Sequence, residues 1–328
     1  MTVLVTGGAG YIGSHTVRAL RQAGRAVVVL DTLELGHRAA VLDAPLVVGD
    51  VADATLVGRL CEEYGVTQAV HFAAYKSVGE SMQHPAKYWA NNVGSAAVLF
   101  ETLARHGVRE VVFSSSCSVY GTPPSVPVTE DAPIHPESVY AETKAVAERV
   151  LAWFERTDGL RSVSLRYFNA AGASADAVIG EDWAFSINLV PVVMKAALGR
   201  SGPLKVFGDD YPTPDGTCIR DYIHVDDLAA AHLAALDHLA AGGATTAVNV
   251  GTGTGSSVMD IIHATERISG RQVPYEVVAR RDGDPVASFA DPEHAAQVLG
   301  WRATRTLDDI IASAWAWHST HPDGYGAG

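Results

Sequence analysis

With 328 residues, 48% of them hydrophobic, the chain suits one large α/β domain or two intimately packed lobes and is neither disordered nor fibrous. A net charge of −13 and only five lysines argue against a general nucleic-acid or anionic-membrane surface, which requires clustered basic side chains. Cys61, Cys117 and Cys218 are an odd, scattered set without C-x-x-C spacing, and no uncharged apolar run approaches the ~18 residues of a membrane span, so no disulfide framework, metal site or membrane anchor is expected.

The chain opens on Val3-Leu-Val, a buried-strand pattern that runs into Gly7-Gly-Ala-Gly-Tyr-Ile-Gly13 and then a helix starting near Tyr11. Gly7 suits the tight turn, Gly10 lets backbone approach phosphate oxygens, and Gly13 lets the helix lie close to the strand. Unpaired N–H groups and the positive dipole end at Tyr11 and Ile12 would face a dinucleotide pyrophosphate. Val27-Val-Val-Leu-Asp31 reads as the next strand, and a carboxylate at its end can accept both ribose hydroxyls but repels a 2′-phosphate, which favours NAD over NADP.

Further strands are expected at Leu46-Val-Val, Gln68 to Phe72, Glu110 to Phe113 and Ser162 to Leu165, alternating with amphipathic helices. That rhythm specifies an α/β fold with a doubly wound parallel sheet covered on both faces. After Phe168-Asn169 the pattern loosens into Gly- and Pro-containing loops. A NAD-binding domain over 1–170 and a smaller C-terminal substrate lobe over 171–328 are therefore expected, with a helix at Ala229 to Ala241. The strand Ala247 to Gly251 is a candidate to return to the first sheet. The segment after His318 reads as a mobile tail. No basic leader or apolar stretch precedes the first strand, which makes a reducing, cytoplasmic setting the default.

Two strings carry chemistry. Val111-Val-Phe-Ser-Ser-Ser116 ends a buried strand in hydroxyls, which places Ser116 at the carboxyl edge where open α/β sheets bind ligands. Downstream, Ser138-Val-Tyr-Ala-Glu-Thr-Lys144 opens a helix and sets Tyr140 and Lys144 on one face. A free phenol has a pKa of about 10, and a neighbouring ammonium and a positive nicotinamide would both favour phenolate and turn Tyr140 into a base. Taken singly, each serine also fits an ordinary strand-to-loop turn. His71, His224 and His263 read as packing or hydrogen-bonding residues, and no metal ligand set is expected.

The glycine turn, Ser116, Tyr140 and Lys144 resemble the extended short-chain dehydrogenase/reductase superfamily. His71-Phe-Ala-Ala-Tyr-Lys-Ser-Val-Gly-Glu-Ser81, Leu165-Arg-Tyr-Phe-Asn169, Gly208-Asp-Asp-Tyr-Pro-Thr and Asp215-Gly-Thr-Cys-Ile-Arg-Asp-Tyr-Ile-His-Val225 narrow the resemblance to its UDP-glucose 4-epimerase family. The resemblance implies a Rossmann-type fold, NAD as cofactor, a homodimer, and redox-neutral inversion at C4 of a UDP-hexose with Ser116, Tyr140 and Lys144 as catalytic residues. It implies NAD contacts from Gly7, Gly10, Tyr11, Ile12, Gly13, Asp31, Asp50, Val51, Phe72, Ala73, Ala74, Lys76, Asn91 and Phe168, together with the three catalytic residues. It implies UDP-sugar contacts from Lys76, Ser116, Tyr140, Asn169, Asn188, Leu189, Lys205, Val206, Phe207, Arg220, Arg281, Asp284 and Ser288. Ser288 matches the family position beside the hexose 2-substituent, where a small residue is associated with N-acetyl sugars. Thr32 and Cys117 depart from the family's usual Asn and small nonsulfur residue. Two alternatives stay open: a nucleotide-sugar 4,6-dehydratase, against which Ser116-Cys-Ser118 offers no carboxylate, and a noncatalytic NAD-sensing protein on the same fold.

Overall fold

The computed structural model describes every residue except Phe185, Ile187, Asp282, Ala327 and Gly328. Six strands and six helices build the first half: β1 (Thr2–Thr6), α1 (Tyr11–Gln22), β2 (Ala26–Asp31), β3 (Leu46–Val48), α2 (Ala54–Tyr64), β4 (Val66–His71), α3 (Val78–Gln83), α4 (Pro85–Tyr88), α5 (Ala96–Arg105), β5 (Glu110–Ser114), α6 (Val139–Asp158) and β6 (Arg161–Tyr167). The strands form a wholly parallel sheet in the order β3, β2, β1, β4, β5, β6, and the late strand Thr246–Val250 adds a seventh member by pairing with β6. The expected return to the first sheet is thus present. Strand order reverses between β1 and β4, and the crevice above their carboxyl ends is where such sheets bind ligands.

Alternation along β1 shows why the sheet is buried on both faces. Val3 and Val5 face a core with Leu20, Val29, Leu236 and Val248, whereas Leu4 faces one with Leu60, Leu99, Phe100 and Leu103. α1 and helix Val225–Ala240 cover the first face, and α2, α5 and α6 cover the second. A third core, with Val193, Met194, Ile261 and Ile311, holds helices Leu189–Ala197, Val258–Ser269 and Leu307–Thr320. Short strand pairs lie between: Asn169–Ala171 with Tyr222–His224, Leu204–Phe207 with Tyr275–Val278, and Ile219–Arg220 flanked by Ser256–Ser257 and Ala287–Ser288. Among the described residues no helix is long and apolar enough to cross a membrane.

Three expectations need correction. The helix expected from Ala229 begins at Val225, because the His224 ring accepts the Asp226 N–H and two aspartates occupy the positive first turn. His263 is exposed on its helix and packs against nothing central, while His71 and His224 are buried. From Ser319 to Gly326 the chain is no loose tail: the helix continues to Thr320, and Tyr325 packs on Trp317 and bonds both the N–H and C=O of Gly180, while the last two residues of that expectation lie outside the described ones.

Candidate active site

A cleft of about 510 Å³ follows the carboxyl edge of the sheet across its switch point. At one end Gly7 adopts φ +73°, and a Cβ there would come within 2.6 Å of Ala73 N in the chain leaving β4. A Cβ on Gly13 would lie 2.2 Å from Gly7 O, so only glycine lets α1 sit against its strand; on Gly10 it would meet only Gly7 O, at 3.3 Å. Gly10 caps α1 without a side chain, which leaves the first-turn N–H groups at Tyr11 and Ile12 for an external anion. Asp31 accepts N–H groups from Ala9 at 2.9 Å and Leu33 at 2.8 Å, and its carboxylate retains lone pairs for further donors. Asp50, Val51, Phe72, Ala73, Ala74, Lys76, Asn91 and Phe168 line the same cleft. This fits an adenine dinucleotide: bare amides for phosphate, an acceptor for ribose and apolar walls for rings.

At the other end β5 delivers Ser116 and α6 delivers Tyr140 and Lys144, all three lining the cleft. Ser138 caps α6 by accepting Ala141 N–H, and the Tyr140 N–H donates to Ser81 Oγ at 3.1 Å, which fixes where the helix starts. Lys144 Nζ donates to Ser114 O at 2.7 Å and stands 5.9 Å from the centre of the Tyr140 ring. Burial lowers the Lys144 ammonium to about 8 against the pull of Glu148. The phenol behaves otherwise. Burial lifts Tyr140 well above its ordinary value, Tyr167 adds to the rise, and the facing Ser116 hydroxyl opposes it. Desolvation of a phenolate thus outweighs the ammonium on its own, and the base expected from sequence draws on the ammonium together with a positive nicotinamide.

The residues expected to contact a UDP-sugar divide. Asn169 and Asn188 line the cleft, with Asn188 donating to Glu181 at 2.9 Å. Leu189 opens the next helix. Arg220, Phe207, Arg281, Asp284 and Ser288 form a neighbouring group outside the cleft lining: Arg220 pairs with Asp284 at 2.6 Å and lies in register with Ser288, and the Arg281 guanidinium covers Phe207 at 3.8 Å. Lys205 is exposed on its strand, and Val206 points into the core, leaving only its backbone for a ligand.

Several residues without a role in the sequence reading organise the site. Asn92, in a π-helical segment, accepts Tyr75 N–H and donates to Tyr75 O and Thr143 Oγ1, tying the loop after β4 to α6. Glu148 takes Arg166 and the Ser115 hydroxyl behind the end of β5. Asp221, fully buried, accepts from Thr252 N and Oγ1, Gly253 N and Ala290 N, and burial pushes its carboxyl up against those bonds. Replacing it leaves buried donors unmatched. Asp221→Ala is expected to cost about 3 kcal/mol, read as a lower urea midpoint, and an unchanged midpoint would contradict the count of bonds.

A family model for the NAD dependent epimerase/dehydratase family matches residues 3–251. UDP-glucose 4-epimerase of Lactobacillus helveticus is 44% identical over 327 residues, covering 99% of both chains. The chain belongs to the UDP-glucose 4-epimerase family. Among solved structures of that family, the Brucella ovis enzyme in complex with NAD is 47% identical with a TM-score of 0.94, over 96% of this chain and 97% of that one. The UDP-Glc/GlcNAc 4-epimerase of Campylobacter jejuni is 38% identical with a TM-score of 0.86, over 97% and 99%. For a member of this family, the cleft joins the glycine turn and Asp31 to Tyr140 without a break.

Proposed function

We propose that the chain catalyses NAD-dependent C4 epimerisation of UDP-hexoses, interconverting UDP-glucose and UDP-galactose through a 4-keto sugar. The observation that carries this reading is that Ser116, Tyr140 and Lys144 line the same cleft as Gly7, Gly13 and Asp31. NAD, when bound, supplies a reversible hydride acceptor for C4 and a positive ring. Tyr140 Oη takes the proton of the C4 hydroxyl and later returns it, and Ser116 Oγ holds that oxygen in line. Lys144 keeps a positive charge beside the pair and stabilises the phenolate. Arg220 and Arg281 are fork donors for a diphosphate, so the nucleotide is gripped while the hexose keeps the freedom to present its other face.

Binding through UDP rather than sugar makes inversion possible. A purified sample incubated with UDP-galactose should carry NAD and yield UDP-glucose. A 6-deoxy-4-keto product would favour a dehydratase instead, and bound NAD without turnover on any UDP-sugar would favour a sensor. Against elimination, Cys117 and Ser118 bring no acid beside Ser116, and the nearby Glu181 carboxylate is held by Asn188 and Lys76.

Ser288 supports use of N-acetylated sugars as well, since its small side chain leaves room at the hexose 2-position, and the Campylobacter jejuni relative carries both Glc and GlcNAc in its name. Ser288→Tyr is expected to lower kcat/KM for UDP-GalNAc by about 100-fold while changing that for UDP-galactose less than about threefold. Equal loss on both would contradict the steric argument. The reading includes a cytoplasmic homodimer, supported by free Cys61, Cys117 and Cys218 and by exposed Trp153 on α6 and Trp89 ahead of α5.

A further inference from the structure

The end of the chain reaches back to the cofactor end of the cleft. After helix Leu307–Thr320 the backbone reverses, with Gly324 N–H bonding His321 O at 3.0 Å and Gly324 at φ +64°. Gly324 is buried against Asp182, where a Cβ would come within 2.9 Å of Oδ1. Tyr325 follows. Its hydroxyl donates to Gly180 O at 2.9 Å and accepts from Gly180 N at 3.1 Å. Gly180 is itself pressed on Trp317, since a Cβ there would stand 2.5 Å from the indole.

The Tyr325 ring stacks on His37, with centroids 4.6 Å apart and planes 24° apart. His37 belongs to the segment after Asp31, and its N–H bonds Ala9 O in the glycine turn at 2.9 Å. His37 Nε2 also lies 2.8 Å from Asp182 Oδ2, though out of line for a hydrogen bond. A continuous bridge, Ala9 to His37 to Tyr325 to Gly180, therefore joins the glycine turn to the second lobe, and His37, Gly180 and Tyr325 all line the cleft.

We propose that the stacked pair Tyr325 and His37 is a clasp that must open for NAD to enter or leave. The inference rests on the reading that the cleft holds NAD. Its purpose follows from the chemistry: a hydride stored on the cofactor has to return to the same sugar, so loss of cofactor between the two half-reactions would strand an oxidised product. Every link of the bridge is noncovalent, which allows slow opening rather than permanent enclosure. Tyr325 and His37 are positioning residues in this account and need touch no reacting atom.

The test uses holoenzyme diluted into excess alcohol dehydrogenase and ethanol, so that released NAD is trapped and read at 340 nm, with association measured separately on apoprotein. In Tyr325→Ala and His37→Ala, release and association should both accelerate about tenfold, because a door removed opens in both directions; Tyr325→Phe, which keeps the stack and loses the Gly180 bonds, should show a smaller rise in both. Unchanged rates in Tyr325→Ala and His37→Ala overturn the clasp, as does faster release without faster association, which marks a lost contact with the cofactor. If unaltered protein neither carries nor binds NAD, the reading of the cleft fails first, whatever the variants do.

Discussion

Tyr140→Phe is expected to lower kcat by about 1,000-fold while NAD stays bound and the KM for UDP-galactose changes little. The substitution removes only Oη. The ring keeps its buried place, the backbone bond from Tyr140 N to Ser81 is untouched, and Lys144 keeps its bond to Ser114 O. What disappears is the group proposed to accept the C4 proton. Because burial lifts the phenol above its ordinary value and Lys144 stands 5.9 Å from the ring centre, the protein on its own holds Tyr140 protonated. Base strength has to arrive with the oxidised cofactor, whose positive ring adds to the ammonium. Ultraviolet difference titration should accordingly show phenolate at lower pH with NAD than without it, and only in protein that retains Tyr140. Near-normal turnover by the phenylalanine variant would remove Tyr140 from the proton path.

Gly13→Ala is the second large effect, and it acts on the cofactor rather than the chemistry. Its Cβ would stand 2.2 Å from Gly7 O and 2.8 Å from Gly8 Cα, both backbone atoms that cannot swing aside. Helix α1 would have to move off its strand, taking the first-turn amides with it. NAD affinity is expected to fall about 100-fold, equivalent to about 2.7 kcal/mol, measured by titration of apoprotein. Gly10→Ala separates the causes, since its Cβ meets only Gly7 O at 3.3 Å within the protein. That variant should fold normally and lose affinity through crowding of the phosphates. Parent-like binding by Gly13→Ala would show that the turn has slack the geometry does not suggest.

Features written in short stretches of chain were legible. The glycine turn, the helix that opens at Ser138 and the spacing of Tyr140 and Lys144 are each set by neighbours a few residues apart, so local pattern was enough to anticipate them. The strands of the central sheet were legible for the same reason, with ends shifted by a residue or two, as where β4 begins at Val66 rather than Gln68. Long-range partnerships were not. Nothing near Asp221 announces that Thr252, Gly253 and Ala290 converge on it, and Asn92 meets Thr143 only because its π-helical segment packs on α6. The chain end misled for a related reason. His321-Pro-Asp-Gly-Tyr has the composition of a frayed terminus, yet Trp317 and Gly180 offer Tyr325 a seat that no local rule describes. The desolvation of Tyr140 was likewise not legible, because spacing reports a neighbouring ammonium but not the loss of water.

The pairing of Thr246–Val250 with β6 bears on how the molecule can be divided. A fragment ending near residue 170 would present β6 as a raw edge, with a row of unmatched amides and carbonyls open to another chain. Its hydrophobic face would also lose Val248, Leu228 and Leu236, which come from the later half. The two halves thus share one sheet and one core, and modular exchange of substrate regions between relatives has to carry this last strand along or leave a sticky remnant behind.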